Sequence, residues 1–126
     1  MTRTALLVAL ALAAVALFFL FMRGGESEPA ADVVAAVEGG ATVVDVRTEG
    51  EYAAGHLVGA RHANVLAGDF RERVAELDRD QTVYVYCASG ARSGRAAKVL
   101  EDMGFQRVVN AGGLADLEAA GATVTR

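Results

Sequence analysis

The chain has 126 residues, a single cysteine and a formal net charge of −4 at pH 7. All 16 acidic side chains but only 10 of the 12 basic ones lie beyond residue 23, so this larger part carries a formal charge of −6. Such an acidic surface argues against nucleic-acid binding, which needs a basic face, and one cysteine excludes an intramolecular disulfide and a cysteine-rich metal cluster.

The chain opens with an uninterrupted apolar run. Ala5 to Met22 contains 18 apolar residues and is flanked by Arg3 and Arg23. A helix of this length reaches ~27 Å, just enough to cross a hydrocarbon core of ~30 Å. The run therefore predicts a membrane anchor through residues 5–22. A secretory signal is the alternative, but cleavage after the small residues 14–16 would leave an apolar stub on the mature protein.

Three parts of the chain follow from this pattern. Residues 1–23 are predicted to be the anchor or signal segment, residues 24–29 a polar linker, and residues 30–126 one α/β domain. The position of the apolar run at the start of the chain favours export of the part that follows it. We expect an anchored domain on the extracytoplasmic (periplasmic) side of the membrane, or a secreted domain if the segment is cleaved.

The domain alternates helical and strand patterns. Helices are predicted after Pro29, over 49–54, after Asp69 as a cap, from Ser93 as a cap to Met103, and over 114–120. Extended segments are predicted over 42–46, 59–65, 81–87 and 107–109. A turn is predicted at Gly112-Gly113. Strands that alternate with helices indicate a largely parallel sheet covered on both faces. Ligands of such sheets gather beyond the carboxyl ends of the strands. Cys87 and the segment Asp45-Val46-Arg47 both fall there, and we expect them to share one pocket.

Cys87 ends an alternating Val/Tyr strand and precedes a tight turn and a helix. Its thiol is therefore expected to face backbone N–H groups, an environment that favours a thiolate and binds anions. Gly90 permits the positive φ angle of a tight loop. Arg92 is a cation near a helix N-terminus, which is unfavourable unless an anion lies between it and the loop. Arg95, on the first turn of the same helix, is a weaker candidate.

Three separated segments resemble the signatures of the rhodanese domain. They are Asp45-Val46-Arg47 with Glu51-Tyr52 and Gly55-His56-Leu57-Val58-Gly59-Ala60, the loop segment 85–93, and Gly104-Phe105 with 108–110 and 112–114. The resemblance runs from about residue 29 to residue 121. It departs from the family at Val58, where many members have Pro.

The resemblance implies a central parallel five-stranded sheet with helices on both faces, here preceded by one N-terminal apolar helix. It also implies sulfurtransferase activity through a persulfide on Cys87. Arg92 would orient a thiosulfate-like donor, and the acceptor would be a thiol or cyanide; no cofactor and no metal are implied. Asp45 and Arg47 would support the loop as a charge pair, with Glu51 as a further partner for Arg47. The backbone N–H groups that would cradle the anion belong to Ala88, Ser89, Gly90, Ala91 and Ser93.

Two other functions remain open at this point. A phosphatase or arsenate reductase of the cell-cycle tyrosine-phosphatase kind shares the fold, but places five residues between its Cys and Arg, whereas four separate Cys87 from Arg92. A non-catalytic, membrane-tethered binding module usually lacks the cysteine. His56 and His62 are six residues apart and are expected to be structural rather than metal ligands.

Overall fold

The computed structural model describes residues 2–22 and 25–126. Its helices are α1 (Arg3–Met22), α2 (Ala30–Glu38), α3 (Glu49–Ala54), α4 (Phe70–Val74), α5 (Ala91–Asp102) and α6 (Leu114–Ala119). Its strands are β1 (Glu26–Ser27), β2 (Thr42–Asp45), β3 (His56–Leu57), β4 (Arg61–His62), β5 (Val83–Cys87), β6 (Val108–Gly113) and β7 (Val124–Thr125).

Five strands form one parallel sheet in the order β1-β6-β5-β2-β4. Its middle strand, β5, is buried along its whole length. Val83, Val85 and Cys87 pack into one core layer with α4 and α5, and Tyr84 and Tyr86 pack into the other with α2 and α6. Successive side chains of a strand point to opposite faces, which produces this division. The predicted five-stranded parallel sheet with helices on both faces is confirmed.

The segment predicted to be a linker contributes to the sheet. Glu26 and Ser27 pair with Val109 and Asn110 at the edge of β6. Arg107 binds Glu26 at 3.0 Å and also Glu28. The sequence interpretation of residues 24–29 as a free tether is therefore wrong for its described part. A two-residue exposed edge strand has no buried face, so its sequence shows no apolar alternation.

The structure does not support the predicted membrane anchor. Helix α1 is present, but no helix within the described residues is both long and apolar enough to cross a bilayer. The extracytoplasmic location stays a prediction from the sequence.

Two local predictions also need correction, and one pair of strands was not predicted. Gly112 and Gly113 lie at the end of β6 and lead directly into α6, instead of forming a separate turn. The Asp69 carboxylate does not cap α4 but binds Arg73 at 2.7 Å. A small antiparallel pair, β3 with β7, joins the middle of the domain to its end and was not predicted, because two-residue strands are too short for a periodic signal.

Candidate active site

Cys87 lies at the carboxyl end of the central strand, under a short loop that leads into α5. Helix α5 begins at Ala91 after Gly90, whose φ of +96° is in the left-handed region that glycine adopts without strain. This turn directs the Gly90 N–H at the Cys87 Sγ, with 2.9 Å between nitrogen and sulfur. The cysteine is fully buried. Strand and turn together therefore hold the sulfur against a backbone donor.

Ser93 is the second partner of the sulfur. Its Oγ lies 3.4 Å from Cys87 Sγ. Burial of the sulfur opposes ionisation, but the Ser93 hydroxyl and the backbone N–H groups of Ser93, Ser89 and Gly90 outweigh it, so the pKa of Cys87 lies below its ordinary value. The site thus favours the thiolate, which is the nucleophilic form of cysteine.

Ser93 was predicted to cap α5, and this role is wrong. The cap position belongs to Gly90, and Ser93 is buried in the first turn with its hydroxyl directed at Cys87 and Asn110. Ala91 occupies the first helical position, so a cap at Ser93 would come three residues too late. The helix starts early because Gly90 already supplies the left-handed turn that redirects the chain.

Asn110 is a site residue to which the sequence analysis gave no role. Its Oδ1 accepts a hydrogen bond from the Ser93 hydroxyl at 2.7 Å, and its Nδ2 donates to the Gly90 carbonyl at 3.0 Å. One side chain on β6 therefore fixes both groups that contact the sulfur. The signal available in the sequence was its position at the end of a strand next to β5, where a parallel sheet gathers functional groups.

Gly113 allows the end of β6 to approach the active loop. A Cβ atom at this position would lie 2.4 Å from the Ala88 carbonyl oxygen, which belongs to the backbone and has little freedom to move. Only glycine fits such a contact. The pairing of β5 with β6 is irregular between Val85 and Cys87. The register shifts there, so that Cys87 pairs with Gly113.

Arg92 forms a two-pronged ion pair with Glu51. Its Nη1 and Nη2 atoms lie 2.6 Å and 2.9 Å from the two carboxylate oxygens. The bond from Arg92, opposed by partial burial and aided by Thr48, lowers the pKa of Glu51 to about 2. Thr48 and Glu51 also form a reciprocal capping box at the start of α3. The predicted pairing of Glu51 with Arg47 is wrong, since Arg92 takes that carboxylate.

Asp45 and Arg47 form a buried network on the opposite face of the sheet from Cys87. Asp45 accepts hydrogen bonds from Arg47 Nη2 at 2.7 Å and from the Tyr86 hydroxyl at 2.6 Å. Arg47 also donates to the Gly55 carbonyl at 2.5 Å. Burial and the hydrogen bond to Asp45 raise the pKa of Tyr86, which stays a neutral donor. Because Tyr86 and Cys87 point to opposite faces, the hydrogen bonds of Asp45 and Arg47 lie on the other face of the sheet from the thiol, and the shared pocket stays a prediction.

Tyr52 is stacked between two histidines. The His56 and His62 rings lie 3.7 Å and 4.6 Å from the Tyr52 ring, centroid to centroid. His56 Nδ1 lies 2.8 Å from the Tyr52 carbonyl oxygen, and His62 Nε2 lies 2.8 Å from the Arg47 carbonyl oxygen. One nitrogen of each ring therefore contacts a backbone carbonyl. These contacts connect the segments before and after β3.

The predicted site residues fall into two groups. Around the sulfur of Cys87 lie the Ser93 hydroxyl and the backbone N–H groups of Ser89, Gly90 and Ser93, whereas the contacts predicted from Ala88 and Ala91 stay predictions. Arg92 lies close enough for the charge at Cys87 to contribute to the raised pKa of its guanidinium, although Glu51 dominates that shift. Arg95 is exposed, and within the described residues its side chain makes no hydrogen bond or ion pair. The support predicted from Asp45 and Arg47 is indirect, through the strand that precedes Cys87.

We expect Ser93→Ala to raise the pKa of Cys87, because it removes a side-chain hydrogen bond that lowers this pKa against the effect of burial. The ultraviolet absorbance of the thiolate, followed against pH, reports this single cysteine directly. The midpoint should move to higher pH in Ser93→Ala. Ser89→Ala is the matched control, since Ser89 acts through its backbone N–H, which the substitution retains. An unchanged midpoint in Ser93→Ala would contradict the assigned role.

Comparison with known proteins places this arrangement in context. The model of the rhodanese-like domain family matches residues 29–120. The chain is 41% identical over 76 residues to the thiosulfate sulfurtransferase PspE of Escherichia coli (strain K12), covering 59% of this chain and 71% of that protein.

Two solved structures are similar in fold. The solution structure of a rhodanese-like domain from Anabaena aligns with a TM-score of 0.69 and 28% identity, covering 81% of this chain and 78% of that one. A structure described as rhodanese with anions from E. coli aligns with a TM-score of 0.58 and 34% identity, covering 68% of this chain and 96% of the other. The match to the family model, over residues 29–120, spans β2, β5 and the Cys87 loop.

Proposed function

The chain belongs to the rhodanese-like domain family, and from this premise we propose that it is a sulfurtransferase that moves sulfane sulfur through a Cys87 persulfide. The observation that carries the proposal is the environment of the Cys87 sulfur. The Gly90 N–H, 2.9 Å from Sγ, stabilises negative charge on the sulfur before any donor is present, and the Ser93 hydroxyl lies 3.4 Å from the same atom. The similarity to a thiosulfate sulfurtransferase supports thiosulfate as the donor.

The first half-reaction forms the persulfide. The Cys87 thiolate attacks the outer sulfur of thiosulfate, a new S–S bond forms to Sγ, and the S–S bond of thiosulfate breaks. The electron pair of that bond leaves with sulfite, so one thiolate and one thiosulfate dianion give one persulfide anion and one sulfite dianion. No external oxidant or reductant is needed. Because Cys87 is buried in this structure, the loop over it has to shift to admit the donor.

The second half-reaction returns the thiolate. Cyanide or a thiolate acceptor attacks the outer sulfur of the persulfide, and the electron pair of the broken S–S bond stays on Cys87. Cyanide gives thiocyanate, and a thiol gives a new persulfide. Since Cys87 is the only cysteine of the chain, no second thiol within the chain can resolve the persulfide, and the acceptor has to come from outside.

The loop and Arg92 have distinct roles in this scheme. The backbone N–H groups of the loop hold the negative charge on sulfur, and Arg92 stabilises the charge of the donor and of the departing sulfite. Arg92 is separated from Cys87 by four residues, a shorter loop than the five-residue spacing of the phosphatases that share the fold.

Turnover of two substrates tests the proposal. The full chain, incubated with thiosulfate and cyanide, should release sulfite and form thiocyanate in equal amounts, and it should leave aryl phosphates intact. Equal amounts are required because each sulfur that leaves thiosulfate passes to one cyanide. Hydrolysis of an aryl phosphate without thiocyanate formation would replace this proposal with the phosphatase function.

We expect Arg92→Ala to reduce kcat/KM for thiosulfate by roughly 10²-fold, the usual cost of removing one donor to a developing anion. Its effect on stability should be small, because the Arg92–Glu51 pair is partly exposed. The control is Arg126→Ala, which removes a similar two-pronged pair with Glu118. Thiocyanate formation and thermal unfolding of both variants are the measurements. A loss of activity that merely parallels a loss of folded protein would contradict the assigned role.

A further inference from the structure

Arg92 is already neutralised by a carboxylate in the folded protein. Both terminal nitrogens of its guanidinium contact Glu51, at 2.6 Å and 2.9 Å. Glu51 is itself held in place, since its Oε1 accepts hydrogen bonds from the Thr48 hydroxyl at 3.1 Å and from the Thr48 N–H at 3.3 Å. The carboxylate is therefore a fixed negative charge beside the cation that the donor has to meet.

This arrangement changes the charge that a donor encounters. A free arginine carries one full positive charge. The Arg92–Glu51 pair has no net charge, and its carboxylate places a negative charge directly beside the guanidinium. A second carboxylate, Asp45, also acts on the Arg92 guanidinium electrostatically. The pair is only partly exposed, with 26% of the Arg92 side chain and 35% of the Glu51 side chain accessible, so solvent screens it incompletely.

We propose that Glu51 is a specificity-determining residue that limits the advantage of doubly charged donors such as thiosulfate over singly charged ones such as persulfides and thiosulfonates. The inference rests on the proposed sulfur transfer at Cys87. A fixed carboxylate repels a dianion about twice as strongly as a monoanion at the same distance, so its effect appears in the ratio of the two donors. Removing its charge should shift that ratio toward the dianion.

Sulfur transfer from a singly charged donor balances without any further reactant. A thiosulfonate has one organic group in place of an oxygen of thiosulfate and carries one negative charge. The Cys87 thiolate attacks its terminal sulfur, the S–S bond breaks, and the electron pair leaves with a sulfinate. One thiolate and one thiosulfonate thus give one persulfide anion and one sulfinate, the same enzyme product that thiosulfate gives.

Methanethiosulfonate and thiosulfate are a suitable pair of probes, because they differ in charge but present the same outer sulfur. With cyanide as acceptor, both yield thiocyanate, so one assay of the full chain measures both. We expect Glu51→Gln to raise the ratio of kcat/KM for thiosulfate to kcat/KM for methanethiosulfonate roughly fivefold to tenfold. The ratio cancels any general loss of activity that follows from a less well held Arg92.

Two variants separate charge from structure. Glu51→Asp keeps the negative charge and should keep a ratio near that of the wild type, whatever its absolute rate. Glu118→Gln removes the carboxylate of the comparable Glu118–Arg126 pair and should leave both rates unchanged. Circular dichroism verifies the fold of each variant, and Glu51→Ala supplies a second neutral side chain if Glu51→Gln does not fold.

Each outcome decides the matter. A raised ratio in the neutral variants alone supports the inference. An unchanged ratio in Glu51→Gln, or the same shift in Glu51→Asp, overturns it while the proposed function stands, provided that the wild type makes thiocyanate. If the wild type makes thiocyanate from neither donor, the proposed function fails and the inference fails with it.

Discussion

Replacing Cys87 by Ser should abolish sulfur transfer, with a loss of roughly three orders of magnitude or more in thiocyanate formation. The hydroxyl of serine has nearly the shape of the thiol but a much higher pKa, so the donors at Gly90 and Ser93 cannot produce an anion at neutral pH. An O–S bond to the donor sulfur is also a poor carrier for transfer. The loss should appear in kcat, because the groups that bind the donor are unchanged.

The fold should survive this substitution. The side chain of Cys87 is small and lies among Val46, Val85 and Ala96 in one core layer, and oxygen in place of sulfur retains the hydrogen bonds at the end of the strand. Unfolding by urea would verify this point. Substantial sulfite release by folded Cys87→Ser would contradict the assignment of the nucleophile.

The largest effect on stability is expected for Asp45→Asn. Asp45 is fully buried, and its carboxylate accepts hydrogen bonds from Arg47 and from the hydroxyl of Tyr86. The amide that replaces it has the same shape but no charge, so the buried guanidinium of Arg47 loses its counter-ion. Breaking a buried pair in this way costs about 3–5 kcal/mol of unfolding free energy. The measurement is urea denaturation, in which the dependence of the unfolding free energy on urea concentration (the m-value) should be the same for the variant and the wild type.

Asp69→Asn is the matched control for that experiment. It removes an ion pair of equal length, 2.7 Å, that is largely exposed on the surface. Solvent screens such a pair, so little change in the free energy of unfolding is expected. Similar losses for Asp45→Asn and Asp69→Asn would show that burial of the first pair does not determine its effect.

Much of this fold is predictable because its central strands β2 and β5 are buried on both faces. The runs that became β2 and β5 are rich in Val and Tyr and are bounded by Gly or charged residues, which distinguishes them from helices. The two-residue strands β1, β3 and β7 carry no such signal, since their formation depends on the partner strand rather than on their own sequence. The linker prediction failed for this reason at Glu26 and Ser27.

The sequence predicts the chemistry of the active site better than it predicts the side-chain contacts within it. A thiol before a glycine turn and a helix indicates an anion cradle from local geometry alone. In contrast, the pairing of Arg92 with Glu51 joins residues 41 positions apart, and Asn110 reaches Gly90 across 20. Which of two nearby carboxylates an arginine selects is decided by tertiary packing, and so Glu51 was assigned to Arg47 when Asp45 already satisfies that cation.

The intact mass of the full chain after incubation with thiosulfate tests the central claim most directly. We predict the addition of one sulfur atom, located by peptide mapping on the peptide that contains Cys87, and its removal when cyanide or a thiol is added. A protein that releases sulfite from thiosulfate but gains no sulfur at Cys87, or that holds a sulfur no acceptor removes, would contradict transfer through a Cys87 persulfide.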